Sequence, residues 1–125
     1  MPKSIQHHRH QAFLRQQHRC YYCGSPMWES NPEHFMTSNG LSRKAAERLL
    51  CTAEHLTARS VGGGNCADNI VTACRQCNST RHKATVPLEP ELDRQRVQRR
   101  VNGGRWLPAR LAVLCRPMPG TAAGP

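Results

Sequence analysis

Residues 69–82 read NIVTACRQCNSTRH, and this stretch combines the signals that decide the fold. Its first five residues are β-prone, so they predict a strand. Cys74 and Cys77 follow at the spacing of a zinc-ligand pair. A helix is predicted to begin near this pair and to run to about residue 83, which places Asn78 and His82 on one helix face. The stretch therefore predicts a strand, a metal-binding turn and a helix in direct succession.

A second C-x-x-C pair, Cys20 and Cys23, matches the first. Four thiolates suit a closed, tetrahedral, structural Zn²⁺ site. Fifty residues separate Cys23 from Cys74, so the ion would join two distant segments. A redox pair is the alternative, but the βαβ context of such pairs is missing. The remaining cysteines are interpreted as structural or incidental: Cys51, Cys66 and Cys115.

The length and composition favour one small, metal-supported domain. The chain has 125 residues, of which 38% are hydrophobic and 5% aromatic, so apolar burial alone predicts a thin core. Zinc binding would reinforce this core, because metal binding to a marginal chain adds to its folding free energy. Trp28 and Trp106 are expected to pack in the core or against the zinc site.

The charge indicates a polyanionic partner. The net charge is +10, and residues 94–125 contain seven arginines and no acid. Such a surface suits nucleic acid bound through its phosphates, with a merely solvated charged face as the alternative. No apolar run of membrane-spanning length exists, and the basic N-terminus has no apolar signal segment, so we expect no membrane partner and a cytoplasmic location. Reduced thiols in that compartment agree with metal ligation.

Four segments are predicted along the chain. They are a basic N-terminal arm that becomes helical near Ile5 (1–18), a core with an insertion (19–86, insertion 24–50), a basic helical extension (87–116) and a disordered tail (117–125). The extension is expected to contain a helix from Pro90 to Val101, because proline suits a first turn and Asn102-Gly103 suits a stop.

The insertion carries two different signals. Residues 25–40 are rich in turn residues and are predicted to form a long loop. Residues 42–50, SRKAAERLL, predict a helix capped by Ser42 or Ser38. The role of the insertion stays open at this point.

Glu54 and His55 lie on a predicted short strand that follows Cys51 and Thr52. Neighbouring side chains on a strand point to opposite faces, so the two residues have different tasks unless the backbone is irregular. A carboxylate is a ligand for Mg²⁺ or Mn²⁺, and histidine can accept a proton near neutral pH. Asn69 could hydrogen-bond across the hairpin and hold the Glu-His loop or the His55 ring.

These residues together resemble the HNH endonuclease family in its zinc-bearing form. The resemblance covers residues 19–83 and is carried by the string C20-x-x-C23…A53-E-H-L56-x-x-R59-S-x-G62-G63…N69-I-V-x-A73-C74-x-x-C77-N78…R81-H82. It implies an α+β fold, with a ββα-metal (His-Me finger) core, a four-cysteine zinc site and flanking N- and C-terminal helices.

The resemblance also implies roles for the site residues. His55 matches the general base, Glu54 the acidic metal ligand, Asn69 the middle asparagine and Asn78 the last motif position, while His82 falls where some relatives have a further ligand. Two departures stand out: glutamate replaces the commoner aspartate, and asparagine replaces the commoner histidine at position 78. A neutral carbonyl is a weaker ligand than imidazole, so loose binding of the catalytic metal is expected without DNA.

The implied activity is hydrolysis of DNA phosphodiester bonds, by nicking or cleavage, with one divalent metal: Mg²⁺, Mn²⁺ or Ni²⁺. Two alternatives are a catalytically silent, zinc-dependent nucleic-acid-binding module and an RNA-directed nuclease. One such unit usually addresses one strand, and the sequence leaves a monomer and a dimer equally open.

Basic residues near the motif and in the extension are predicted to contact the DNA backbone, with the helix in or along the minor groove. For each of them, a solvated surface charge is the alternative. They are Arg59, Arg75, Arg81 and Lys83 around the motif, and Arg94, Arg96, Arg99, Arg100 and Arg105 in the extension.

Overall fold

The computed structural model describes residues 4–58 and 62–116. Its elements, in chain order, are α1 (Ile5–Arg15), α2 (Pro32–Asn39), α3 (Arg43–Glu47), β1 (Cys51–His55), a 3₁₀ turn (Ala67–Asn69), β2 (Ile70–Cys74), α4 (Arg75–Arg81), α5 (Pro90–Asn102) and α6 (Ala109–Ala112). The β1–β2–α4 order is the predicted ββα core, and the predicted α+β class is confirmed.

β1 and β2 form an antiparallel hairpin that runs in register from Cys51↔Cys74 to His55↔Ile70. β-Branched residues favour this extended pairing in β2. α4 begins directly after Cys74, whose side chain accepts a hydrogen bond from Cys77 N and so caps the helix. Cys74 and the start of α4 therefore lie at the same end of the sheet.

Neighbouring segments cover both edges of this two-stranded sheet. On the β2 side, the Gln16 side chain donates to Thr72 O at 2.9 Å and accepts from Thr72 N at 2.9 Å, while Tyr21 N donates to Thr72 O. On the β1 side, Cys51 N donates to Trp28 O at 2.8 Å. Backbone groups that would otherwise be exposed at an edge are thus paired within the chain.

The insertion contains a helix where a loop was expected. The prediction for residues 25–40 was wrong, because Pro32–Asn39 form α2. Pro32 occupies the first turn, where its missing N–H costs nothing, and Gly40 ends the helix with φ 64°. The same residues that indicated turns are therefore the two ends of a helix.

The other helix predictions are confirmed. α3 lies within residues 42–50 and is capped by Ser42, whose Oγ accepts from Ala45 N at 3.1 Å. α5 runs from Pro90 to Asn102 and is capped by Gly103. α6 was not predicted, and the expected disordered tail lies outside the described residues. Within residues 4–58 and 62–116, no helix combines the length and apolarity needed to cross a bilayer.

The buried core lies around the cysteine pairs. Tyr22, Leu49, Val97 and Leu111 are each at most 1% exposed, and the buried cysteines belong to the same cluster. These residues come from the first cysteine turn, the insertion, α5 and α6. The segments that flank the ββα core therefore complete one core around the predicted metal site.

Candidate functional site

The side chains of Cys20, Cys23, Cys74 and Cys77 converge at the end of the hairpin. Their sulfur atoms all lie within 4.8 Å of one another, and all four residues are buried. Cys23 Sγ and Cys74 Sγ are 3.8 Å apart. A tetrahedral zinc ion with Zn–S bonds of about 2.3 Å places its sulfur ligands about 3.8 Å apart. The cluster is therefore compatible with zinc, as predicted.

N–H groups donate to three of the four sulfur atoms, those of Cys20, Cys74 and Cys77. Tyr22 N and Cys74 N each donate to Cys20 Sγ at 3.3 Å, and Cys77 N donates to Cys74 Sγ at 3.4 Å. The indole Nε1–H of Trp106 donates to Cys77 Sγ at 3.2 Å, which confirms the predicted packing of Trp106. Donors of this kind stabilise thiolate charge and fix the orientation of metal ligands.

The three cysteines outside the cluster, Cys115, Cys51 and Cys66, have different environments. Cys115 lies against the cluster. Hydrogen bonds from neighbouring thiols, of which that with Cys115 has the largest effect, hold the pKa of Cys23 well below its usual range. Burial raises the pKa of Cys51 to about 12, which keeps it a neutral thiol. Cys66 is exposed. Residues around the cluster thus favour thiolate character at Cys23.

The C-terminal segment packs directly on the first cysteine turn. Arg116 N donates to Gly24 O at 3.2 Å, and Arg19 Nη1 donates to both Gly24 O at 2.8 Å and Leu114 O at 2.9 Å. The Gln98 side chain donates to Tyr22 O. The extension therefore supports the cysteine cluster from outside.

Gly24 is required at this contact, so Gly24→Ala is expected to destabilise the fold. The residue has φ +74°, and an added Cβ would lie 1.5 Å from Arg116 O. We expect a loss of about 2–5 kcal/mol in the free energy of unfolding, from backbone strain and displacement of the C-terminal segment. Denaturant unfolding followed by circular dichroism measures it.

Gly104→Ala is the matched control, because Gly104 has φ +69° with open space around its Cβ position. This variant should lose only the strain contribution, about 1 kcal/mol. Equal losses in the two variants would contradict the close contact at Gly24.

The Glu54 carboxylate is buried between β1 and α4. It is 4% exposed, and its Oε1 lies 3.3 Å from both His82 Nε2 and Arg81 Nη1. Tyr22 Oη donates to Oε2 at 3.5 Å. Burial, followed by the Glu54 charge, raises the pKa of Tyr22 well above its usual range, so the hydroxyl stays a donor. The structure thus brings together Glu54 and His82, two of the predicted metal ligands.

His55 has a separate environment from Glu54. β1 is regular through His55, so the two side chains project to opposite faces of the strand. His55 Nε2 lies 2.8 Å from Asn65 Oδ1. Because an amide oxygen only accepts hydrogen bonds, this contact places the hydrogen on Nε2 and leaves Nδ1 as a proton acceptor.

The Asn69 side chain forms hydrogen bonds within the loop between the strands. Its Oδ1 accepts from Thr57 N at 2.7 Å, and its Nδ2 donates to Thr57 O at 3.0 Å and to Gly64 O at 2.8 Å. The side chain therefore joins the two ends of the loop that carries Asn65. Of the two possibilities for Asn69, the structure shows a contact with the loop rather than with the His55 ring.

Asn78 joins α4 to β1. Its Nδ2 donates to Thr52 Oγ1 at 3.0 Å and to Ala53 O at 3.3 Å. The amide nitrogen is therefore used in packing, and Oδ1 is the atom that a metal could use.

The predicted phosphate-contacting residues fall into three groups. Arg75, Lys83, Arg99, Arg100 and Arg105 are exposed. Arg96 and Arg81 are engaged in ion pairs. Arg96 pairs with Asp93 at 3.1 Å. Arg81 is 10% exposed, pairs with Glu54 and donates a hydrogen bond to Leu88 O at 2.8 Å. Arg94 is 8% exposed and its guanidinium lies over the Tyr21 ring at 4.3 Å, which counts against a phosphate contact. Arg59 lies outside the described residues.

Three residues at the site have roles that the sequence did not indicate. No role was predicted for Tyr22 or Asn65, and Arg81 was predicted to contact DNA. Asn65 carried a weak signal, since an amide after three glycines is well placed to cap a loop. The contacts of Tyr22 and Arg81 span 32 and 27 residues, and no local pattern reports such pairs.

Comparison with known proteins supports the resemblance over the central part of the chain. The family model described as HNH endonuclease matches residues 42–84. No curated protein and no solved structure matches the chain. The matched range includes both strands, α4 and the second cysteine pair, while the first pair and α5 lie outside it. Residues 42–84 are therefore similar to the HNH endonuclease family.

Proposed function

We propose that this protein is a metal-dependent endonuclease that hydrolyses DNA phosphodiester bonds. One observation supports this most. Asn65 Oδ1 contacts Nε2 of the His55 ring, which leaves Nδ1 to accept a proton, and the preceding residue, Glu54, has a buried carboxylate that contacts His82. A module that only binds nucleic acid needs neither arrangement.

His55 is the proposed general base. Its Nδ1 takes a proton from a water molecule as the water oxygen forms a bond to phosphorus. The bond from phosphorus to the 3′ oxygen then breaks, and the leaving oxygen takes a proton from solvent. Asn65 keeps the ring in the required tautomer, and Asn69 holds the loop that positions Asn65.

Glu54, His82 and Asn78 are the proposed holders of a divalent cation: Mg²⁺, Mn²⁺ or Ni²⁺. A carboxylate oxygen, an imidazole nitrogen and an amide oxygen are suitable donors for these ions. A bound cation would stabilise negative charge at the phosphorus and at the leaving oxygen. Because Arg81 already places a positive charge 3.3 Å from Glu54 Oε1, weak metal binding is expected before nucleic acid is present.

The charge of the chain supports a nucleic-acid substrate. The net charge is +10, and the exposed cations on α4, α5 and the following turn give phosphate contacts from several elements. Arg59 remains a proposed contact in the same set.

A second function, nucleic-acid binding without catalysis, is favoured by one observation. The Arg81 guanidinium neutralises Glu54 from a position that is itself 10% exposed, so the carboxylate could serve only as a buried ion-pair partner. In that case metal would have no effect on the protein beyond the cysteine cluster.

The variant His82→Ala separates the two functions. The side chain is 51% exposed, so its loss should leave the fold intact while removing a proposed metal ligand. We expect the Mg²⁺ concentration for half-maximal nicking of supercoiled plasmid to rise by at least about 10-fold.

His34→Ala is the matched control, because His34 is also exposed and its one side-chain hydrogen bond among residues 4–58 and 62–116 is to Ser38, one helical turn away. It should match wild type. An unchanged Mg²⁺ requirement in His82→Ala would contradict the proposed role of His82. Plasmid binding without any nicking would favour the second function, and a parallel incubation with single-stranded RNA tests the RNA-directed alternative.

A further inference from the structure

A basic cavity between α3 and α4 contains none of the residues proposed to act in hydrolysis, and Arg75 is the predicted phosphate contact that it includes. Its volume is about 240 Å³, and it is lined by Lys44, Glu47, Arg48, Arg75, Gln76 and Ser79. Pockets for drug-sized molecules have volumes of about 300–1,000 Å³, so this one suits a smaller group. All six lining residues have polar or charged side chains and three of them are cations, which suits an anionic group.

The charges in the cavity are unbalanced. Lys44, Arg48 and Arg75 face a single carboxylate, that of Glu47. Within residues 4–58 and 62–116, the side chains of these three cations have no hydrogen bond or ion pair. Arg43, on the same helix but outside the cavity, pairs with Glu33 at 2.6 Å. The cavity therefore offers unpaired positive charge to an anion.

Backbone contacts fix the two walls relative to each other. Gln76 N donates to Arg48 O at 3.0 Å, and Arg75 N donates to Leu50 O at 2.9 Å. Arg48 and Arg75 are thus positioned by main-chain hydrogen bonds next to them, which lowers the entropy lost when they bind a ligand.

The cavity lies near the proposed catalytic residues. Ser79 lines it and precedes His82 by three positions on α4, which is about 4.5 Å along a helix axis. Arg75 precedes His82 by seven positions, about 10 Å. Each strand of B-DNA carries one phosphate per about 3.4 Å of axis, so this distance corresponds to about three phosphates.

We propose that this cavity binds a backbone phosphate of the nucleic-acid strand, about one to three phosphates away from the phosphate at His82. This inference rests on the proposed function, because it takes nucleic acid as the ligand. It gives the insertion a function that the motif residues do not have: Lys44 on α3 and Arg48, which caps α3, bind the strand beside the cleavage position.

The test measures binding apart from cleavage. In a His55→Ala background with Mg²⁺, the double variant Lys44→Gln/Arg48→Gln is titrated against a fluorescently labelled, mixed-sequence DNA duplex over a range of salt concentrations. We expect affinity at low salt to fall by about fivefold or more, and the slope of log K against log salt to decrease by about 1.

Arg15→Gln/Arg43→Gln is the matched control, since it removes the same charge from exposed positions outside the cavity. A slope equal to that of the control would overturn the proposal. If the double variant fails to fold, Lys44→Gln alone carries the test, because Lys44 is exposed and its side chain makes no hydrogen bond or ion pair in the described part of the chain. If the wild-type protein does not nick DNA but the double variant shows the smaller salt slope, the nuclease proposal is wrong and the phosphate-binding proposal is supported.

Discussion

Replacing His55 by alanine is expected to lower the rate of plasmid nicking by at least about 100-fold. General base catalysis contributes about 10²–10⁴ to a rate, and alanine leaves no group at this position that can take the proton. The ring is half-buried and its one described hydrogen bond is to Asn65, so the fold and the cysteine cluster should be unaffected. Conversion of supercoiled to open-circular plasmid at saturating Mg²⁺ measures the rate.

The His34→Ala protein, purified in parallel, should retain the full rate, so a loss confined to His55→Ala does not come from the preparation. Nicking by His55→Ala at the wild-type rate would show that another group serves as base.

Variants of Asn65 show how the base is held. Asn65→Ala removes the acceptor for His55 Nε2–H and should give a smaller loss than His55→Ala. Asn65→Asp keeps an acceptor oxygen and should recover most of the rate. This recovery separates a positioning role from a loop-folding role, because a purely structural asparagine would not be rescued by restoring the oxygen alone.

The substitution Cys74→Ser should abolish cooperative folding at 25 °C. Structural zinc sites contribute about 10–16 kcal/mol at pH 7, whereas whole domains are stable by about 5–15 kcal/mol. Cys74 is fully buried, ends β2 and caps α4, so its loss removes a ligand and a junction together. Elemental analysis should find about one zinc ion per wild-type chain and none in the variant, and circular dichroism should show the lost thermal transition.

Cys66→Ser is the control, since Cys66 is exposed and lies outside the cluster. It should bind zinc and unfold as wild type does. A strong chelator should reproduce the effect of Cys74→Ser on the wild-type protein. A Cys74→Ser protein with an unchanged thermal transition would contradict a stabilising metal at this position.

The elements that were predicted correctly have local causes. Ser42 caps α3, Pro90 and Gly103 delimit α5, and the β-branched run of β2 leads into Cys74 within a few residues. Each signal acts over one or two turns of chain, which is the range where propensity and capping operate. The helix at Pro32–Asn39 was missed because the same proline and glycine also begin and end turns.

The amino-acid sequence alone predicted the ββα order and the four-cysteine cluster and selected Glu54, His55 and His82 as candidate site residues, because spacing and side-chain chemistry are properties of the chain itself. The tertiary structure alone decided that Asn65 contacts His55, that Arg81 pairs with Glu54 and that a basic cavity lies between α3 and α4. These contacts depend on how separate segments pack. Packing is fixed by the whole core, so no local pattern specifies which polar groups will meet there.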